Sequence, residues 1–257
     1  MNSPDNIELQ SSPFRFPDKG KNGVQGGQAI ILAGGLGTRL RSVVPYMPKC
    51  MAPVAGKPFL YFVIEHLKKQ GVDKFIFSLG YKHEMIEEWL NEEYPSLAIQ
   101  SSVEDEPLGT GGAIKLACGL ATEKNVLILN GDTLFKIDAA KLFDFHDRFG
   151  ADCTLSLKPM HNFNRYGLVE INKDHSISSF KEKQQYESGL INGGVYLLDR
   201  DRFLKEDLPL KFSFENDYLE KYFDKRKMYA VVQDEYFIDI GIPEDYERAQ
   251  KELGIGH

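Results

Sequence analysis

The stretch from Gln28 to Lys49, QAIILAGGLGTRLRSVVPYMPK, decides how the rest of the chain is read. Ala29 to Ala33 form an apolar run without polar alternation. Such a run fits a strand buried on both faces, as in a parallel sheet. It passes directly into Gly34-Gly35-Leu36-Gly37-Thr38-Arg39. Glycines there let the backbone turn and bring its N–H groups close to an anion. Ala33, Gly34, Gly35, Gly37 and Thr38 are therefore candidate phosphate-cradling residues. Arg39 and Lys49 add two fixed cations, the charges a triphosphate requires. Taken alone, the turn also fits an ordinary strand-to-helix junction, and the cations also fit solvated surface charges.

Two common phosphate-loop patterns are excluded. G-x-x-x-x-G-K-[ST] fails because Gly56-Lys57 is followed by Pro58. The dinucleotide pattern G-x-G-x-x-G fails because Leu40 stands where its third glycine belongs.

Working outward, strand-like and helix-like segments alternate. Helical patterns cover Pro58 to Gln70, Tyr81 to Tyr94 and Gly111 to Leu120; strand patterns cover Lys74 to Leu79, Leu97 to Val103 and Asn125 to Leu129. This alternation predicts an α/β fold with a parallel sheet covered on both faces. Beyond a helix at Asp138 to Phe149 come short strand-like runs: Cys153 to Leu157, Gly167 to Ile171, Ile177 to Lys181 and Leu190 to Leu198. A strand near Tyr236 to Ile240 and a helix from Pro243 to Leu253 close the pattern. The expected organisation is a flexible extension at residues 1–27, polar and proline-bearing, then one domain at 28–257. Its halves are 28–135, which opens with the candidate phosphate-cradling turn, and 136–257.

Composition narrows the classes. The 257 residues are 42% hydrophobic, enough for a sizeable core, and the net charge of −7 argues against a general nucleic-acid surface. Cys50, Cys118 and Cys153 are far apart and suggest neither disulfides nor zinc. No apolar run reaches the ~20 residues of a membrane span, and no signal peptide is visible. The cytoplasm is the default expectation. The six histidines show no metal-ligand spacing.

Two aspartates stand at strand ends, where a carboxylate can reach a bound ligand. Asp132 follows the strand at Val126 to Leu129 in Asn130-Gly131-Asp132, at the sheet edge where α/β folds bind ligands. Asp239 ends a second apolar run before the helix at Pro243. Either could instead serve a turn or a helix cap.

G-G-x-G-T-R followed by Pro48-Lys49 resembles the signature of the sugar-1-phosphate nucleotidyltransferases, and the likeness continues in separate blocks from Gln28 onward. The resemblance implies a Rossmann-like, mostly parallel α/β sheet of the nucleotide-diphospho-sugar transferase (GT-A-like) kind. No hexapeptide repeat follows, so a C-terminal β-helix is not expected. It implies joining a nucleoside triphosphate to a sugar 1-phosphate with release of pyrophosphate, Mg²⁺ being the cofactor. Homo-oligomerisation is compatible with it.

By the same resemblance Arg39 and Lys49 are catalytic, and Asp132 and Asp239 are the metal ligands. Glu106 to Ala113 resembles the base-binding loop, with Pro107, Gly109 and Thr110 approaching the base and Thr110 capping the next helix. Tyr166, Gly167, Glu182, Lys183, Asn192 and Gly193 match acceptor positions; Lys183 would hold the sugar phosphate. Glu182-Lys183 also fits a solvated strand end. Gln184 replaces a usual proline and N-G-G-V-Y a usual N-A-G-x-Y, departures that bear on which sugar fits.

Several strings, among them Glu106 to Ile114 and Leu190 to Tyr196, resemble the branch that transfers guanylate to a heptose 1-phosphate for surface-polysaccharide and S-layer glycans. Guanine offers adjacent N1–H and N2–H₂ donors that a carboxylate can accept together. Of Glu104, Asp105 and Glu106, Glu104 leaves its strand first and is the favoured reader; backbone groups around Gly109 are the other option. Branches acting on mannose, glucose or N-acetylmuramate 1-phosphate remain open. So does a non-catalytic regulatory subunit, although such a chain would lack one of Arg39, Lys49, Asp132 or Asp239.

Overall fold

The computed structural model describes residues 26–35, 40 and 44–254. The expected extension up to residue 25, and Gly37, Thr38 and Arg39, lie outside the described residues. The first half runs β1 (Gly27–Leu32), a 3₁₀ turn at Lys49–Met51, a small hairpin β2 (Pro53–Val54) and β3 (Lys57–Pro58), then α1 (Phe59–Lys69). It continues through β4 (Val72–Leu79), α2 (His83–Glu93), β5 (Ala98–Val103), α3 (Gly109–Cys118), β6 (Asn125–Asn130) and β7 (Thr133–Phe135). The second half holds α4 (Ala139–Phe149), β8 (Cys153–Phe163), β9 (Leu168–Ile171), β10 (Ile177–Lys181), β11 (Tyr186–Asp199) and α5 (Arg200–Leu204). A π-helical turn at Phe214–Leu219 leads into α6 (Glu220–Tyr222), followed by β12 (Met228–Val232), β13 (Phe237–Asp239) and α7 (Pro243–Glu252).

The main sheet runs β10-β9-β11-β6-β1-β4-β5. Strands β6, β1, β4 and β5 are mutually parallel. Strand β11 joins β6 antiparallel and also carries β8, which pairs parallel with β12. Burial explains the continuous apolar runs. On β1, Ala29 and Ile31 enter one core with α1, α2 and α4, whereas Ile30 enters another with α3 and α5. Phe75 and Phe77 against Ile76, and Leu127 and Leu129 against Ile128, sort the same way. Period-two alternation is present, but both faces meet protein, so neither face needs polar residues.

Local chemistry sets several boundaries. The Asp138 carboxylate accepts from the Lys141 N–H at 2.9 Å and caps α4, which Gly150 ends with φ 53°. Sequence pattern missed β12, β7, α5 and the turn at 214–222. Each is too short for a clear period, and β12 is defined by pairing with β8 from Met228↔Cys153 to Val232↔Leu157. Strands β8 and β11 extend well past their predicted ends, because both run on as a two-stranded ribbon through polar sequence as far as Phe163↔Tyr186.

Candidate active site

A cleft of about 860 Å³ opens at the C-terminal ends of β1, β4 and β6. Ala33, Gly34 and Gly35 enter it from β1, Ser78 and Gly80 from β4, Asn130 and Asp132 from β6. The β5–α3 connection contributes Glu104, Pro107, Gly109 and Thr110, and Lys49 and Gly241 close one side. From β1 the chain moves first to β4, then crosses to β6 on the other flank. The cleft therefore sits at a topological switch point, where strand-end N–H groups and helix starts face solvent.

Asp132 and Asp239 meet because β7 and β13 pair antiparallel, with Asp239 opposite Thr133. The Ile240 N–H donates to the Asp132 carbonyl at 3.1 Å and locks that register. Lys49, on the 3₁₀ turn anchored by buried Cys50 and Met51, reaches between the two carboxylates. Its ammonium donates to Asp132 Oδ2 at 2.5 Å and to Asp239 Oδ1 at 3.2 Å. The Gly241 N–H also donates to Asp239 Oδ1, at 2.8 Å. A Cβ on Gly241 would lie 2.8 Å from that oxygen and 3.1 Å from Lys49 Nζ, so a side chain there would displace the carboxylate or the ammonium. Asp239 is thus bound into this ion cluster and does not cap α7, whose start has no side-chain cap.

Asp132 and Asp239 offer oxygen donors of the kind Mg²⁺ takes along with water and phosphate, and here both carboxylates are paired with the Lys49 ammonium. Among the described residues no group of three or more His, Cys, Asp or Glu could hold a metal. The Cys50 thiol beside this cluster is pushed up to about 12 by burial and then by the Asp132 charge, so it stays neutral. Burial, followed by the Asp239 charge, likewise pushes the Tyr166 phenol up.

In the β5–α3 connection, Glu104 is half-buried while Asp105 and Glu106 are exposed. Its Oε2 accepts from the Leu108 N–H at 2.8 Å, which folds the 104–108 loop onto itself. Oε1 has a long contact from the Ser78 hydroxyl at 3.4 Å.

Thr110 does not cap α3, contrary to expectation. Its hydroxyl donates to Glu215 Oε2 at 2.6 Å and accepts from the Phe214 N–H at 2.9 Å. The glycines around it have a structural reason. A Cβ on Gly109 would come within 2.6 Å of the Phe212 carbonyl, and one on Gly111 within 2.1 Å of the Phe212 ring. The Gly111 N–H donates to that carbonyl at 3.0 Å. The 210–214 segment is therefore pressed onto the start of α3 where side chains are missing.

The residues expected to take the acceptor are more dispersed. Tyr166 lies beside Asp239, its hydroxyl 3.4 Å from Oδ2, and lines a neighbouring cleft of about 650 Å³. Gly167 packs against the Lys181 carbonyl and Gly193 against the Phe135 ring. The Asn192 amide donates to the Tyr196 hydroxyl at 2.8 Å, and that hydroxyl donates to Glu215 Oε1 at 3.5 Å. Glu182 and Lys183 are exposed between β10 and β11 and line neither cleft. Arg165, Glu215 and Asn130 went unread in the sequence. Asn130-Gly131-Asp132 carried a signal for Asn130; the other two carried none.

The chain belongs to the nucleotidyl transferase family, which matches residues 28–254. It is 56% identical over 226 residues to D-glycero-alpha-D-manno-heptose 1-phosphate guanylyltransferase of Aneurinibacillus thermoaerophilus, covering 88% of this chain and 98% of that protein. The Campylobacter jejuni enzyme of the same name is 48% identical over 219 residues, covering 85% and 96%. Among solved structures, HddC from Yersinia pseudotuberculosis aligns with TM-score 0.80 and 40% identity over 88% of this chain and 99% of that one. The same protein complexed with GMP-PN aligns with TM-score 0.78, at 39% identity over the same shares.

Proposed function

We propose that this chain transfers guanylate from GTP to D-glycero-α-D-manno-heptose 1-phosphate. A phosphate oxygen of the sugar 1-phosphate attacks the α-phosphorus, a new P–O bond forms, and the bond to the bridging oxygen of the leaving pyrophosphate breaks. The products are GDP-heptose and pyrophosphate. The observation that carries the reaction type is the Asp132–Lys49–Asp239 cluster at the edge of the cleft. The sugar and base rest on likeness to the two heptose 1-phosphate guanylyltransferases and to HddC with GMP-PN.

In this reading Asp132 and Asp239 hold Mg²⁺, which neutralises charge on the phosphates when bound. Lys49 and Arg39 bind the triphosphate and stabilise the departing pyrophosphate. Ala33, Gly34 and Gly35 turn backbone toward the phosphates. Glu104 reads guanine through Oε1, beside Pro107 and Gly109. Thr110 steadies that wall through Glu215. Asn192, Gly193, Tyr166 and Gly167 shape the acceptor side; Lys183 is assigned to the sugar phosphate, and Glu182 and Asn192 to sugar hydroxyls. No helix among the described residues is long and apolar enough to cross a membrane. We place the enzyme in the cytoplasm, supplying activated heptose for surface polysaccharide or S-layer glycans.

A matrix of GTP, ATP, UTP, CTP and dTTP against heptose, mannose, glucose and N-acetylmuramate 1-phosphates tests this, with pyrophosphate release as readout. GTP with the heptose phosphate should give the highest kcat/KM. A preference for mannose 1-phosphate, or equal use of UTP, would overturn the assignment.

A further inference from the structure

Arg165 belongs to no element. It sits between β8 and β9, next to Tyr166, and bridges two carboxylates from distant parts of the chain. One guanidinium nitrogen donates to Asp245 Oδ2 in the first turn of α7. Another donates to Asp239 Oδ2 at 3.3 Å. Asp245 Oδ1 is taken separately by Arg248 at 3.1 Å. All three bridge side chains are largely withdrawn from solvent, at 29% exposure for Arg165, 14% for Asp245 and 18% for Asp239.

The contacts on Asp239 divide between its oxygens. Oδ1 faces Lys49 and the Gly241 N–H. Oδ2 receives Arg165 and the Tyr166 hydroxyl. A carboxylate held at only one oxygen can rotate about its own axis. Donors on both oxygens fix its plane, so the Oδ1 lone pair that Lys49 takes keeps one direction, the one a cation in the place of the ammonium would use. The planar guanidinium suits this because its fork spans two carboxylates at once, which a lysine ammonium on a flexible stem does less well. Tyr166 is clamped too: the guanidinium lies 5.4 Å from its ring centre, and the ring stands edge-on to Phe237 at 5.9 Å. The bridge therefore joins the acceptor loop, α7 and Asp239.

We propose that Arg165 is a positioning residue that orients Asp239 toward the divalent cation. The proposal rests on reading Asp239 as a metal ligand. Partners of metal ligands are typically worth about 10- to 100-fold in metal affinity or activity.

The test uses full-length Arg165→Met, Arg165→Lys, Asp245→Asn and Asp239→Asn. Two readouts are taken: pyrophosphate release, and the rise in melting temperature that Mg²⁺ with GTP gives over GTP with EDTA. Arg165→Met should lower kcat by about 10- to 100-fold, shrink the Mg²⁺-dependent rise, and leave KM for GTP near the wild-type value. Arg165→Lys should recover part of both losses, and Asp245→Asn should follow Arg165→Met in direction. If Arg165→Met does not fold, Arg165→Lys and Asp245→Asn decide the matter by the same two readouts. A normal Mg²⁺-dependent rise and normal kcat in the folded Arg165 variants would overturn the proposal while inactive Asp239→Asn keeps the metal reading intact. If Asp239→Asn itself stays active, the metal reading falls and the proposal falls with it.

Discussion

The two walls of the site, one in the larger cleft and one in its neighbour, are assembled differently. The nucleotide wall is built from strand ends. Parallel register among β6, β1 and β4 sets Gly34, Gly80 and Asp132 side by side, and each needs only a few residues of local sequence to be placed. The acceptor wall is built from long-range contacts. Arg165 reaches Asp245 across 80 residues and Asp239 across 74. A wall made of strand ends concentrates function in a few residues. A wall made of distant contacts spreads it through packing and networks. Substitutions should therefore fail differently on the two sides.

The largest effect should fall where the walls meet. Asp132 comes from the β6 end and Asp239 from β13, yet both contact one ammonium. Asp132→Asn and Asp239→Asn should each reduce kcat by about 100-fold or more, the scale seen when a preorganised electrostatic group is lost. Far-UV circular dichroism should show a folded chain. Near-normal turnover in one variant would mean that one wall alone supplies the chemistry.

Next comes packing. Gly111→Ala places a methyl group inside the Phe212 ring, and overpacking of this kind costs about 1–3 kcal/mol. Gly35 has nothing within 4 Å of a Cβ, so Gly35→Ala should change stability little. Urea unfolding measures both. Equal effects would show that the 210–214 segment is not held against α3 as described. Trimming Phe212 in the Gly111→Ala background should return part of the loss, because the two sites share one contact.

A third contrast separates the substrates. Glu104→Gln removes the charge from the half-buried carboxylate of the nucleotide wall, and should reduce the preference for GTP over ATP by about 10-fold. Lys183→Ala acts on an exposed residue of the acceptor side, and should raise KM for the sugar 1-phosphate by about 10-fold with KM for GTP unchanged. Crossed results, with Lys183→Ala impairing GTP use, would remove the distinction between the walls.

The same contrast explains what could be read before the fold was known. The apolar runs at Ala29 and Val126 announce buried parallel strands, and polar residues at their ends stand in the cleft by geometry alone. Asp239 was legible as a strand-end carboxylate. Its meeting with Asp132 was not, because that depends on the three-residue strand β7 pairing with β13. The glycines of Gly109-Thr110-Gly111-Gly112 suggested a ligand loop. They also make room for Phe212 and Leu210, which no local pattern reveals. Arg165 and Glu215 look like ordinary polar loop residues until the chain brings their partners to them.

The smallest effect tests whether the two halves unfold together. Each half contains a histidine held neutral by burial. His66 on α1 has its Nε2 3.1 Å from the Ile137 carbonyl, and burial lowers it to about 4. His146 on α4 has its Nδ1 2.9 Å from the Thr154 hydroxyl; burial lowers it to about 4 against the opposing pull of Asp199 and Asp152. In the unfolded chain both return to an ordinary value near 6.5. Above that pH neither state binds the proton and stability is unaffected. As pH falls from about 6.5 toward 4, the unfolded chain gains protons that the folded one refuses, so stability is lost. At pH 5.5 the loss should be about 1 kcal/mol for each histidine. The core containing Leu129 of β6 also takes in Phe145 of α4, Val195 of β11 and Ile238 of β13, so it crosses the boundary between the halves. Unfolding should therefore be a single transition whose midpoint falls with acidification. His66→Gln and His146→Gln should each flatten part of that fall, as measured by urea titrations between pH 7.5 and 5.5. Two separate transitions, each responding to only one of the substitutions, would show that the walls belong to independently folding units.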